Sequence, residues 1–144
     1  MSEPKPGLVV RATIDAIELV AQYLDTTLTQ ASVPMMDATR IQLAVEEAVT
    51  NVVTHGYEEG EGDVSVLCTI EGNVVTVIIT DSGHAFDPTS IPPADVTADI
   101  DHRKIGGLGV HLIRSVMDEI SYQRIEDKNQ FTMIKQVSDS DIDF

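Results

Sequence analysis

The sequence predicts an α+β fold: a two-layer sandwich with helices packed on one face of a mixed, mostly antiparallel sheet. Three observations carry this. Apolar residues recur with a helical period over two successive stretches, one from Ile14 and one from Ile41. An alternating stretch, Val64 to Thr69, is followed after Glu71-Gly72-Asn73 by the almost wholly apolar run Val74 to Thr80, which reads as a hairpin covered on at least one face. A third helical pattern from Leu108 precedes two more strand patterns, so helices and strands must share one core.

Taken in order, Leu8 to Ala12 is β-rich and follows a Pro4/Pro6 leader. Thr13 is the expected N-cap of a helix whose apolar residues are Ile14, Ile17, Val20, Ala21, Leu24 and Leu28. That helix ends near Ala31, broken by Ser32 to Pro34. Asp37 is the expected N-cap of the second helix, which runs to about Thr54 and stops at Gly56. Its apolar face is read as Leu43, Ala44, Ala48, Val49, Val52 and Val53. Glu58 to Asp63 is acidic and turn-like. Asp81 to Gly107 is irregular, and loops of that length are functional or disordered. After the third helix, strands near Ile120 to Ile125 and Gln130 to Val137 pair across Glu126-Asp127-Lys128-Asn129. Residues 1–137 form one expected domain, and 138–144 an acidic, mobile tail.

Composition narrows the function classes. Hydrophobic residues make up 42% of the 144, aromatics only 4%, and Trp is absent, so the core is aliphatic. A net charge of −15 argues against a nucleic-acid surface and against an anionic membrane, both of which need clustered Lys and Arg. It suits a soluble cytoplasmic protein. Cys68 is the single cysteine, excludes an intrachain disulfide, and falls in a strand pattern as a small core residue. No stretch has transmembrane length, and the first residues carry no signal-peptide pattern, which makes the cytoplasm the expected compartment.

Three stretches bear chemistry. Glu47, Asn51 and His55 rise at i, i+4, i+8 on one helix face. A carboxamide oxygen suits Mg²⁺, and a carboxylate one turn earlier could take a proton from a hydroxyl. Taken alone, a charged helix face with an ordinary Asn explains the pair as well. Glu46 is rotated about 100° away and belongs to a more exposed face. His55, near the helix end, reads as a capping or packing residue, and the other histidines have no metal-ligand spacing.

The second stretch is Asp81-Ser82-Gly83-His84-Ala85-Phe86-Asp87-Pro88, directly after the apolar strand. A carboxylate there could accept from an exocyclic amine, with Gly83 letting a flat ring approach the backbone. Ordinary turn chemistry also accounts for it. The third is Gly106-Gly107-Leu108-Gly109 leading into a helix, where bare backbone N–H groups suit oligophosphate. It is neither a P-loop nor a dinucleotide fingerprint, and alone reads equally as a flexible loop end.

In this order the motifs EEAVTNVVTHGY, DSGHAFDP and GGLGVHLIRSVMDEISY closely resemble the GHKL (histidine kinase-like) ATPase superfamily, and within it the anti-sigma factor serine/threonine kinases. The resemblance extends over roughly the whole chain. It implies ATP and Mg²⁺ as cofactors, with Glu47 as catalytic base and Asn51 as the Mg²⁺ ligand. It implies Asp81 at the adenine amine, Gly83 permitting its approach, and Gly107, Leu108 and Gly109 at the phosphates, with Gly106 a further hinge. It also implies Thr132 near adenine, and Arg103 and Lys104 as candidates to balance phosphate charge. Ala85 stands where related histidine kinases often carry glycine, which favours the anti-sigma branch.

The function implied is an ATP-dependent protein serine/threonine kinase. It acts as an anti-sigma regulatory factor, binds a sigma factor, and phosphorylates an antagonist protein. Homodimerisation is implied by the resemblance alone. The alternative is a nucleotide-gated protein-binding regulator without phosphoryl transfer, in which Thr89 to Ile105 closes over the site. The ATPase part of a histidine kinase is disfavoured because one helix only precedes the Asn51 helix and no His precedes His55. An ATP-independent scaffold is the remaining reading.

Overall fold

A computed structural model describes residues 7–57, 62–90 and 107–137. Among these residues the chain forms five strands and three α-helices in the order β1 (Leu8–Arg11), α1 (Asp15–Gln30), α2 (Met35–Asn51), β2 (Asp63–Glu71), β3 (Val74–Asp81), α3 (Gly107–Val116), β4 (Glu119–Ile125) and β5 (Lys128–Gln136). The sheet order is β1-β2-β3-β5-β4. All four pairings are antiparallel, so the sheet is not mixed. The reason is topological: the β4–β5 hairpin folds back so that its second strand, not its first, lies beside β3.

Helix boundaries differ from the sequence reading at three ends. The N-cap position of α1 is Ile14, not Thr13, and no side chain caps it. Its C-terminus is closed by the backbone: Ser32 takes a left-handed φ of 59°, and the amides of Ser32 and Val33 donate to the carbonyls of Thr29 (3.0 Å) and Leu28 (3.0 Å). This is a Schellman closure with Ser where Gly is usual. α2 starts at Met35 behind Pro34, whose extended ψ of 143° sets the entry. Asp37 therefore sits inside the first turn, buried, where its charge favours the helix N-terminus. At the other end α2 stops at Asn51, and Val52–Gly56 winds as a π-helical turn rather than continuing α-helical to Thr54.

The core lies between the helices and one sheet face, and it is aliphatic as expected. Val20, Leu24 and Leu28 of α1 meet Ile41, Val45 and Val49 of α2 and the inward residues of the sheet. Leu43, read as a core residue, is 44% exposed, while Ile41 and Val45 are buried in its place. Ile14 is likewise exposed. Strand alternation holds: Val64, Val66 and Cys68 face inward on β2, and Val75, Val77 and Ile79 on β3. Cys68 is buried, and desolvation pushes its thiol up to about 11. β1 runs out after Leu8 pairs with Val66, and the Tyr23 hydroxyl accepts the next inward amide, Cys68 N–H, at 3.0 Å.

The site is prepared by the end of this inward file. β3 reads Val75, Val77, Ile79, Asp81 on its buried side, and β5 reads Asn129, Phe131, Met133. Register pairs Asp81 with Asn129 and with Val64. Where the apolar file ends, a carboxylate and a carboxamide therefore lie side by side facing the helices.

Candidate nucleotide site

A pocket opens at that end of the sheet. It is lined by Ala48, Asn51, Val52 and Gly56 from the α2 side, Ile79 and Asp81 from β3, and His84, Phe86 and Pro88 from the following turn. Ile113 of α3, Tyr122 of β4, and Asn129 and Phe131 of β5 complete it. The walls are mostly apolar with a few convergent polar groups, which is the usual make-up of a small-molecule site.

Asn51 and Asp81 are each only 7% exposed. The Asn51 amide nitrogen has no hydrogen-bond partner among the described residues. Leaving such a group dry and unpaired is unfavourable, and no hydrogen bond among the described residues fixes which end of the amide faces a guest. Glu47 lies one turn before it and is half-buried, whereas Glu46 is exposed. His55 is exposed in the π-helical turn and does not extend the Glu47–Asn51 column into the pocket.

The turn after β3 is tightly built. Asp81 Oδ1 accepts from Gly83 N–H at 2.9 Å and from Asn129 Nδ2 at 3.0 Å. His84 N–H donates to the Gly56 carbonyl at 2.8 Å, and Arg124 Nη1 to the Gly83 carbonyl at 2.8 Å. A Cβ on Gly83 would fall 2.1 Å from the Gly56 carbonyl oxygen, so only glycine fits. Tyr57 braces the turn from outside. Its hydroxyl accepts from Ser82 N–H at 2.6 Å and donates to the Asp63 carbonyl at 2.8 Å. Burial, foremost, and the charge of Asp81 raise its pKa against the lowering effect of these bonds. A shallow second cleft, lined by Gly56, Tyr57, Ser82, Gly83, His84, Ala85 and Arg124, lies on the outer side of the turn.

Gly107, Leu108 and Gly109 form the first turn of α3, the helix that brings Ile113 to the pocket. Arg114 Nη2 ties α3 to the Thr89 carbonyl at 2.6 Å. At the far end Lys135 Nζ donates to the Val116 carbonyl at 3.0 Å, a cation on a helix C-terminus. Gly106, Arg103, Lys104 and most of the stretch from Thr89 to Ile105 lie outside the described residues, as do the tail residues 138–144. No cluster of three His, Cys, Asp or Glu fit to hold a metal occurs among the described residues.

Thr132 does not join the pocket. It alternates with Phe131 and Met133 on β5 and so faces the other side of the sheet. The β5 residue at Asp81 is Asn129, which the sequence reading placed in a turn. Glu126 and Asp127 alone make that turn, both at positive φ (48° and 66°), and Lys128 and Asn129 already belong to the strand. The missed signal was phase: Asn129 falls two residues before Phe131, on the inward parity.

The fold and the pocket can be set against known proteins. The histidine kinase-like ATPase domain family matches residues 10–135. Serine-protein kinase RsbW of Staphylococcus aureus strain MSSA476 is 33% identical over 118 residues, covering 78% of this chain and 74% of that protein. The protein of the same name from strain JH9 matches with the same identity and coverage.

Two solved structures agree in fold. The RsbU and RsbW domains of a Mycobacterium tuberculosis protein give a TM-score of 0.61 at 21% identity, over 94% of this chain and 34% of that one. The Acinetobacter baumannii histidine kinase AdeS gives 0.52 at 17% identity, over 92% and 68%. This chain thus spans about a third of the length of the mycobacterial one. The chain belongs to the histidine kinase-like ATPase family, within its anti-sigma factor serine kinase branch. Among its described residues no helix is long and apolar enough to cross a membrane.

Proposed function

We propose that the chain is an ATP-dependent protein serine/threonine kinase acting as an anti-sigma regulatory factor, which binds a sigma factor and phosphorylates an antagonist protein. The observation that carries this is one pocket holding a buried Asn51 amide nitrogen, without a partner among the described residues, and the strand-end Asp81 carboxylate. The similarity to the serine-protein kinases RsbW supports the same reading.

The residues fit both groups. Asp81 would accept the exocyclic amine of adenine, and the apolar walls would cover the ring. Gly83 keeps the turn close enough for that contact, because any side chain there would push the turn off Gly56. The backbone N–H groups of Gly107, Leu108 and Gly109 at the start of α3 would receive phosphate oxygens, with Gly106 as hinge. Asn51 would hold Mg²⁺ through its neutral oxygen, the remaining ligands being waters and phosphates. Mg²⁺, when bound, would neutralise charge on the transferring phosphoryl group.

Glu47 would accept the proton of the acceptor Ser or Thr as its oxygen bonds to the γ-phosphorus and the bond to the β-phosphate oxygen breaks. Little covalent help is needed, so holding the partners in line dominates. A homodimer and a cytoplasmic setting are part of the proposal, the latter in keeping with the net charge of −15.

The test is transfer of label from γ-labelled ATP to purified antagonist proteins, beside equilibrium binding of ATP with and without Mg²⁺. Transfer that falls at least a hundredfold in Glu47→Gln, on the order expected of a lost general base, with binding retained, supports the reading. Undiminished transfer sinks the assignment of Glu47, and binding without any transfer favours the nucleotide-gated regulator.

A further inference from the structure

Asn129 has every hydrogen-bonding group of its side chain engaged. Its Nδ2 donates to Asp81 Oδ1 at 3.0 Å and to the His84 carbonyl at 2.8 Å. Its Oδ1 accepts from the Tyr122 hydroxyl at 2.5 Å and, at 3.4 Å, from Phe86 N–H. Tyr122 stands diagonally across the β4–β5 ladder, where a long side chain reaches such a neighbour. An amide has two orientations differing by a half-turn. Here the Phe86 N–H on one side and two acceptor oxygens on the other select one of them, and the Tyr122 hydroxyl turns its proton to the Oδ1 so placed. The reversed amide would set its oxygen against a carboxylate and a carbonyl.

The consequence falls on Asp81. Both protein donors, Gly83 N–H and Asn129 Nδ2, converge on Oδ1. Oδ2 receives no hydrogen bond among the described residues. The carboxylate is thus clamped by one oxygen, and the other is left as an acceptor in a pocket that Asp81 helps to line. An acceptor there matches an exocyclic amino group and repels an exocyclic carbonyl oxygen.

We propose that Asn129, braced by Tyr122, is a positioning residue for Asp81, and that the pair sets the preference of the pocket for 6-amino over 6-oxo purine nucleotides. The inference rests on the nucleotide reading of the pocket. Asn129 touches no part of the ring in this scheme and acts through the fixed direction of the carboxylate. Without Asn129 the carboxylate is held by Gly83 N–H alone and can turn more freely, so a 6-oxo purine is no longer confronted by an immobile acceptor.

The test is equilibrium binding of ATP and inosine triphosphate, with Mg²⁺, to the full chain and to Asn129→Leu and Tyr122→Phe. The wild-type chain is expected to favour ATP. Asn129→Leu should cut the ratio of the two affinities about tenfold, the scale of one lost hydrogen bond of this kind, and Tyr122→Phe should cut it in the same direction by less. A general loosening of the fold would weaken both nucleotides together and leave the ratio in place. Selective wild-type binding with the ratio unchanged in both variants overturns the inference and leaves the nucleotide reading standing. Failure of the wild-type chain to bind either nucleotide overturns both. If Asn129→Leu does not fold, Tyr122→Phe, at a half-buried position, decides the matter alone.

Discussion

Gly83 and Gly56 are in backbone contact across the floor of the site: a Cβ on the first would lie 2.1 Å from the carbonyl oxygen of the second. The next amide, His84 N–H, is hydrogen-bonded to that same oxygen. The obstacle is backbone, so it cannot swing aside as a side-chain tip would. Gly83→Ala must displace the turn, with the His84 bond stretched and the Gly83 N–H drawn from Asp81. A loss of about 2 kcal/mol in stability is expected, in the range of overpacking, together with loss of ATP binding. Chemical denaturation and nucleotide titration of the variant check both.

Asn51 invites the opposite outcome for stability. Its amide nitrogen is buried without a partner among the described residues, so replacing the side chain with an apolar one of similar volume removes a penalty rather than an interaction. Asn51→Leu should raise stability in the absence of nucleotide by about 1 kcal/mol while abolishing the stabilisation that Mg²⁺ and ATP give the wild-type chain. Urea unfolding with and without Mg²⁺-ATP measures the two effects. A variant less stable than wild type in buffer alone would show that the amide is already satisfied.

Tyr57 joins three segments through one hydroxyl, at the end of the α2 extension, the start of β2 and the turn after β3. Tyr57→Phe keeps the ring and deletes both bonds, leaving the exposed Ser82 N–H to water. The expected cost is about 1–2 kcal/mol. Hydrogen exchange should show faster opening at Ser82 and Gly83 than in the centre of β3. Uniform acceleration along the whole strand would mean that Tyr57 supports the sheet and not the turn.

Cys68 gives a pH dependence. Burial raises its thiol from 9.0 to about 11. Between those values the folded chain holds a proton that the unfolded chain releases, so stability is complete below pH 9 and falls as pH rises towards 11. Tyr57, raised mainly by burial from 10.0, acts in the same direction above pH 10 and overlaps the window of the thiol. The loss attributable to Cys68 is about 2 kcal/mol. Cys68→Ala should start from a lower stability but show a flatter profile between pH 8.5 and 10.5, roughly the span set by the thiol. A wild-type slope equal to that of the variant would exclude Cys68 as its source.

The sequence was most readable where one period ruled. Alternation alone placed Val64, Val66 and Cys68 inward, and the helical period alone placed Val20, Leu24 and Leu28. It failed where two rules competed. Lys128 and Asn129 follow an acidic pair in a polar run, and turn chemistry outweighed a strand phase that only Phe131 and Met133 reveal. Leu43 fits a generic apolar stripe, yet it is exposed because the face that packs is centred on Ile41, Val45 and Val49. Of the site, Asn51 and Asp81 were legible as motif residues. The Tyr122–Asn129–Asp81 chain was not, because it depends on β5, rather than β4, lying next to β3. Sheet order of that kind leaves no mark in local composition.

The wide turn from Val52 to Gly56 has the geometry of a single residue spliced into a regular helix. Chain length there is itself a determinant of the pocket. If the same five residues wound on as regular α-helix, everything beyond would rotate by about 100°. The carbonyl presented to Gly83 would then come from a different residue, and the floor of the pocket would change without any substitution among the residues that line it. A protein built this way sets the shape of its ligand cavity through the winding of a segment in which only Thr54 and His55 are exposed.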